Sequence, residues 1–200
     1  MITHYVGISL SASSSVESAV ALRDALTKEL IYIDKIFSIN DLALFFENYN
    51  SLKNSVICVS IPWDNTMLDG KWRVHAKAYQ VIDSESSFLN RNNWTANFSQ
   101  RGCELLENLK KQGIDIFRFE IYLTRQKLKL YSNFKERSPA DCRFLQDILK
   151  KEYGFDNLSS NMMPVAQLEA IIGTLLAEEY LKNNTKPIFD FKNLEVINIK

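Results

Sequence analysis

Two hundred residues with 24 acidic and 24 basic side chains carry no global charge bias, and an apolar share of 46% is enough to bury a sizeable core. That balance excludes nucleic-acid binding through bulk charge, so any such contact must come from a local patch. Cys58, Cys103 and Cys142 lie too far apart for a zinc ribbon or a disulfide framework, which makes reduced, buried thiols and a cytoplasmic location the expectation.

Residues 5–10 alternate, with Val6, Ile8 and Leu10 on one side and Tyr5, Gly7 and Ser9 on the other. This is a strand that runs into turn chemistry at 11–15. Two more strands, 19–22 and 30–37, follow with no helix between them, so the three form an antiparallel meander. Helical spacing takes over at 39–49, where Leu42, Leu44, Phe45 and Phe46 are apolar and Ser38 is a candidate N-cap. The run 55–61 is almost continuously apolar and ends at Pro62. It reads as a central strand, buried on both faces and placed beside the first.

Residues 62–98 are the least regular part, an excursion carrying Trp63, Trp72, Trp94 and the basic set Lys71, Arg73 and Lys77. A helix at 99–112 is capped by Ser99 and ended by Gly113. Residues 115–123 read as a strand that sends Phe117, Phe119 and Ile121 one way and Arg118, Glu120 and Tyr122 the other. Ser138 and Pro139 open a further helix that stops at Gly154, with Cys142, Leu145, Ile148 and Leu149 as its buried face. The last long helix spans 164–183. Gln167, Thr174 and Glu178 mark its expected wet side, and Glu169 sits opposite among apolar residues, where a carboxylate is rare without a reason. The tail, 184–200, is extended, with Val196, Ile197 and Ile199 forming an edge strand. No apolar run reaches the ~18 residues needed to span a bilayer, and no leader is evident. The whole chain, 1–200, reads as a single domain.

The order βββαβ, then helices and a further strand, resembles the ribonuclease H-like fold, a mixed sheet with helices on both faces. Short words match as well. Val6–Ser13 (VGISLSAS) is similar to the first-strand "GIDLSAS" of the DUF429 family of predicted nucleases. Val59–Pro62 resembles that family's "IDAP", and Gly70–Arg73 its "G-x-x-R". Phe119–Tyr122 resembles "IEVYP", and Leu168–Ala170 the "LDA" of its last helix.

In that superfamily, carboxylates on the first strand, the fourth strand and the last helix hold Mg²⁺ or Mn²⁺ for phosphodiester cleavage. Hard dications require clustered anionic oxygens. The resemblance implies that Ser9 and Ser60 stand where two of the aspartates would be, while Glu120 and Glu169 retain acids. Two charges are thereby replaced by neutral hydroxyls, so nuclease chemistry is expected to be lost or weakened. Asp64 is the candidate replacement acid. Lys71, Arg73 and Lys77, with Trp72 and Trp94, are candidate nucleic-acid contacts, against the blander reading of a solvated helix face.

Three functions follow: a binding or scaffold protein on a degenerate nuclease fold, an active metal-dependent nuclease using Asp64, Glu120 and Glu169, or an actin-like phosphotransfer protein. The third lacks a glycine-rich phosphate turn. Protein partner and homodimer remain open in the sequence.

Overall fold

Alternation along the first strand sorts its side chains onto two faces, and each face acquires its own core. In the computed structural model, residues 2–10, 17–36, 39–48, 52, 54–60, 111, 113–189 and 195–200 are described. Strands β1 (His4–Ser9), β2 (Ser18–Asp24) and β3 (Leu30–Ile36) form the antiparallel meander that the sequence implies. The β2–β3 turn is fixed locally. The Asp24 carboxylate accepts from the Leu26 and Thr27 N–H groups, each at 2.7 Å, and Lys28 takes a left-handed conformation.

Helix α1 (Ile39–Asn48) leads into β4 (Ser55–Ser60), which lies parallel to β1, and β5 (Asp115–Phe119) lies parallel to β4. Then come α2 (Ile121–Lys127), α3 (Pro139–Tyr153), α4 (Val165–Leu181), β6 (Thr185–Phe189) and β7 (Glu195–Ile199). The seven strands of the described sheet are ordered β3-β2-β1-β4-β5-β7-β6.

One face carries Val6, Ile8, Val20, Leu22, Ile57 and Val59 against Leu42 and Phe45 of α1. The other carries Tyr5, Ala19, Ala21, Val56, Cys58 and Phe119 against α3 and α4. Helices thus cover both faces, as expected. Cys58 and Cys142 are buried and reduced, and burial pushes both thiols upward in pKa.

Three expectations need correction. The strand read at 115–123 stops at Phe119, and a helix begins at Ile121. Ile121 and Tyr122 therefore share one core instead of pointing to opposite faces. The tail strand β7 is not an edge, because it lies between β5 and β6. Finally, α4 has no continuous wet side. Thr174 is fully buried, and Glu178 is held in ion pairs with Arg23 at 2.6 Å and Lys28 at 3.2 Å. The excursion 62–98 and nearly all of the helix read at 99–112 lie outside the described residues.

Helix α4 descends onto β1 backbone to backbone. A Cβ placed on Gly7 would lie 1.8 Å from the Ala170 carbonyl oxygen, and one on Gly173 would lie 2.8 Å from the Gly7 Cα. Both contacts are with backbone, which cannot swing aside. Gly7→Ala is therefore expected to cost about 3 kcal/mol or more in a urea melt, at the upper end of overpacking penalties. Loss below about 1 kcal/mol would mean that α4 lifts off the sheet at little cost.

Candidate functional site at the carboxyl ends of the parallel strands

The register of the three parallel strands places Ser9 beside Ser60 and Ser60 beside Phe119, so that Glu120 follows directly at the same edge. Ser9 and Ser60 point to the α4 side, since they continue the alternation of Gly7 and Cys58. Both are buried. The close approach at Gly7 brings Glu169, one helical turn before Gly173, over the end of β1. The carboxyl edge of parallel strands is where ligands of open α/β sheets bind.

Glu169 is 2% exposed and fully engaged. Ser9 Oγ donates to its Oε2 at 2.9 Å. Arg137 grips the same carboxylate: Nη2 donates to Oε1 at 3.0 Å and to Oε2 at 3.2 Å, and Nε donates to Oε1 at 3.2 Å. This is a forked, charge-assisted pair. The Glu169 carboxylate raises the pKa of the guanidinium, burial opposes it, and Tyr122 and Glu120 add to the rise. Burial pushes the Tyr122 phenol up. Arg137 opposes that shift, while Glu169, Glu136 and Glu120 support it.

Glu120 is 1% exposed and caps a helix. Its backbone is extended, and its Oε2 accepts from the Leu123 N–H at 2.7 Å. Thr124 Oγ1 donates to the Glu120 carbonyl at 2.9 Å. Glu120 thus serves the backbone as the cap of α2.

The sequence reading missed Arg137. It sits at φ 59, just before the Ser138 N-cap of α3, and Asp141 holds it there. Asp141 is fully buried. Its Oδ2 accepts from the Arg137 N–H at 2.9 Å and from Arg125 Nη1 at 3.2 Å. Its Oδ1 accepts from Arg125 Nη2 at 2.7 Å and from Ser132 Oγ at 2.9 Å. The visible signal was the Ser138–Asp141 spacing, an N-cap followed three residues later by an acid. Nothing in that spacing says that the preceding arginine turns inward.

The resident groups are a poor match for a dication. Ser9 and Ser60 offer neutral hydroxyls, one carboxylate caps a helix, and the other neutralises a guanidinium. A hard dication needs several carboxylate oxygens. Among the described residues, no group of three or more His, Cys, Asp or Glu is placed to hold a metal ion. Asp64, Lys71, Arg73 and Lys77 lie outside the described residues.

No family model matches the sequence. No curated protein matches it either. Among solved structures, the chain is similar to Thermus thermophilus RuvC in complex with a Holliday junction substrate. That match has a TM-score of 0.56 and 11% identity, covering 93% of this chain and 99% of that one. It is similar also to a second Thermus thermophilus RuvC structure, at TM-score 0.53 and 10% identity, covering 92% and 98%. The chain has the ribonuclease H-like fold.

Asp141 gives the site a pH signature. Burial alone would raise its pKa, but hydrogen bonds from Arg125 and the Arg137 N–H, with the Arg125 charge and Ser132, hold the carboxyl below its ordinary 3.8. A depressed acid stabilises the fold above its unfolded pKa, and that stability is lost as pH falls through the native value. Urea melts between about pH 5 and pH 2 should show this loss. Asp141→Asn should be about 3 kcal/mol less stable near neutrality, since it leaves Arg125 buried without its charge partner, and should lose less on acidification.

Proposed function

We propose that this chain is a binding or scaffold protein on a ribonuclease H-like fold whose dication chemistry has been lost or much reduced, with nucleic acid as the ligand class. The observation that carries this reading is the Arg137–Glu169 pair closed by Ser9. A guanidinium fixed to the protein supplies the positive charge that a mobile dication would otherwise bring to that carboxylate. The neutral hydroxyls of Ser9 and Ser60 fit a site that no longer has to gather a dication.

The DUF429 words in the sequence support a nuclease ancestry. The RuvC neighbour described with a Holliday junction substrate supports nucleic acid as the class to test first. The reduced, buried Cys58 and Cys142 favour a cytoplasmic setting. Among the described residues, no helix is long and apolar enough to cross a membrane.

The second reading is a Mg²⁺- or Mn²⁺-dependent nuclease in which Asp64 joins Glu120 and Glu169. The two readings separate in a thermal-shift experiment with millimolar Mn²⁺ and Mg²⁺. The parent is expected to show no rise in melting temperature. The triple variant Ser9→Asp, Ser60→Asp, Arg137→Ala, which restores two acids and removes the fixed cation, is expected to gain one by ligand linkage. A rise in the parent, together with Mn²⁺-dependent cutting of DNA or RNA that disappears in Glu169→Gln, would overturn the first reading.

A further inference from the structure

Between α2 and the start of α3, the chain runs Lys-Leu-Lys-Leu-Tyr-Ser-Asn-Phe-Lys-Glu-Arg over residues 127–137. Basic and aromatic side chains interleave there. Lys127, Lys129 and Lys135 are exposed. Tyr131 and Phe134 are also exposed, at 62% and 52%. A cavity of about 400 Å³ opens beside this segment, lined by Tyr122, Gln126, Tyr131, Ser132 and Glu136 above the buried Arg125. Its size falls in the range of small-ligand pockets.

The chemistry of the walls narrows the occupant. The Arg125 guanidinium is committed to Asp141, and its Nε donates to the Leu130 carbonyl, so it forms a rigid floor instead of an anion site. The Glu136 carboxylate repels a phosphate. The exposed Tyr131 ring favours a flat π-system, while the Gln126 amide and Glu136 suit an edge that presents hydrogen-bond donors, as an amino-bearing base does. Outside the cavity the sign reverses, because the three lysines suit phosphates.

We propose that residues 127–137 form a track for single-stranded nucleic acid, with one unpaired base entering the Tyr122–Tyr131 cavity and the backbone lying along Lys127, Lys129 and Lys135. This deepens the nucleic-acid reading above and rests on it. A base inside a duplex is stacked and paired and cannot enter, which selects a single strand or an unpaired loop. The track adjoins the serine–glutamate site, since Arg137 ends it.

Fluorescence anisotropy with a short labelled mixed-sequence oligonucleotide, single-stranded and annealed, tests the proposal on the full chain. The parent is expected to bind the single strand more tightly than the duplex. Tyr131→Ala should weaken single-strand binding roughly tenfold, with the salt dependence unchanged, and Tyr131→Phe should restore it. Lys127→Gln, Lys129→Gln and Lys135→Gln together should reduce the slope of log affinity against log salt by roughly 2. Tyr131 is exposed, so its replacement should leave the melting temperature unchanged. If the parent binds the single strand and both variants bind equally well with the same salt slope, the track is wrong while the nucleic-acid reading stands. If the parent prefers duplex and Tyr131→Ala is silent, the single-strand assignment fails. If the parent binds neither form at low salt, the nucleic-acid reading itself falls, and the track with it.

Discussion

The close approach of α4 to β1 is the constraint on which the site depends. Most helix-on-sheet contacts are spaced by side chains. Here Gly7 and Gly173 remove that spacer, and the Ala170 carbonyl occupies the space a Gly7 side chain would need. Since α4 sits so low, a glutamate one turn before Gly173 reaches a serine two residues beyond Gly7 at 2.9 Å. A helix held a few ångströms higher would leave Glu169 above the sheet edge without that hydrogen bond. Burial on almost every side of α4 follows from the same approach, and it explains why Thr174 turns its hydroxyl back to the Ile171 carbonyl at 2.7 Å.

A second constraint is electrostatic and forms a chain. Arg125 neutralises Asp141, Asp141 pins the backbone of Arg137, and Arg137 neutralises Glu169. Asp141 and Glu169 thus each have a guanidinium, as a buried carboxylate in a low-dielectric site requires. Arginine suits this role because its planar fork satisfies both carboxylate oxygens at once and it keeps its charge. The Arg137 side chain is itself 37% exposed, so its outer side remains wet while its inner side serves Glu169.

Much of the fold was legible because the period of apolar residues changes where the elements change. Val6, Ile8 and Leu10 alternate, and they occupy the α1 core as the pattern demands. The cap residues Ser138, Pro139 and Gly154 placed α3 correctly. The reading failed where the local pattern stayed the same across a boundary. Phe117, Phe119 and Ile121 continue a strand alternation through a point where Glu120 accepts the Leu123 N–H and starts a helix. Glu169 was visible as an acid on an apolar helix face and Glu120 only through the family resemblance, and both are buried at the sheet edge. Their partners were not visible, because a left-handed arginine before a helix has no sequence signature and its reach to Glu169 spans 32 positions. The interior position of β7 was hidden for a similar reason, since parallel pairing with β5 is set by tertiary contacts.

Strand β6, at one margin of the described sheet, contains Pro187 paired with Ile197. A proline cannot donate to a neighbouring strand, so this margin cannot offer an unbroken ladder to another chain. At the opposite margin, β3 exposes Asp34 and Lys35, charges that disfavour strand addition. In the described sheet, the missing donor at one margin and the charges at the other thus both disfavour growth by edge-to-edge pairing.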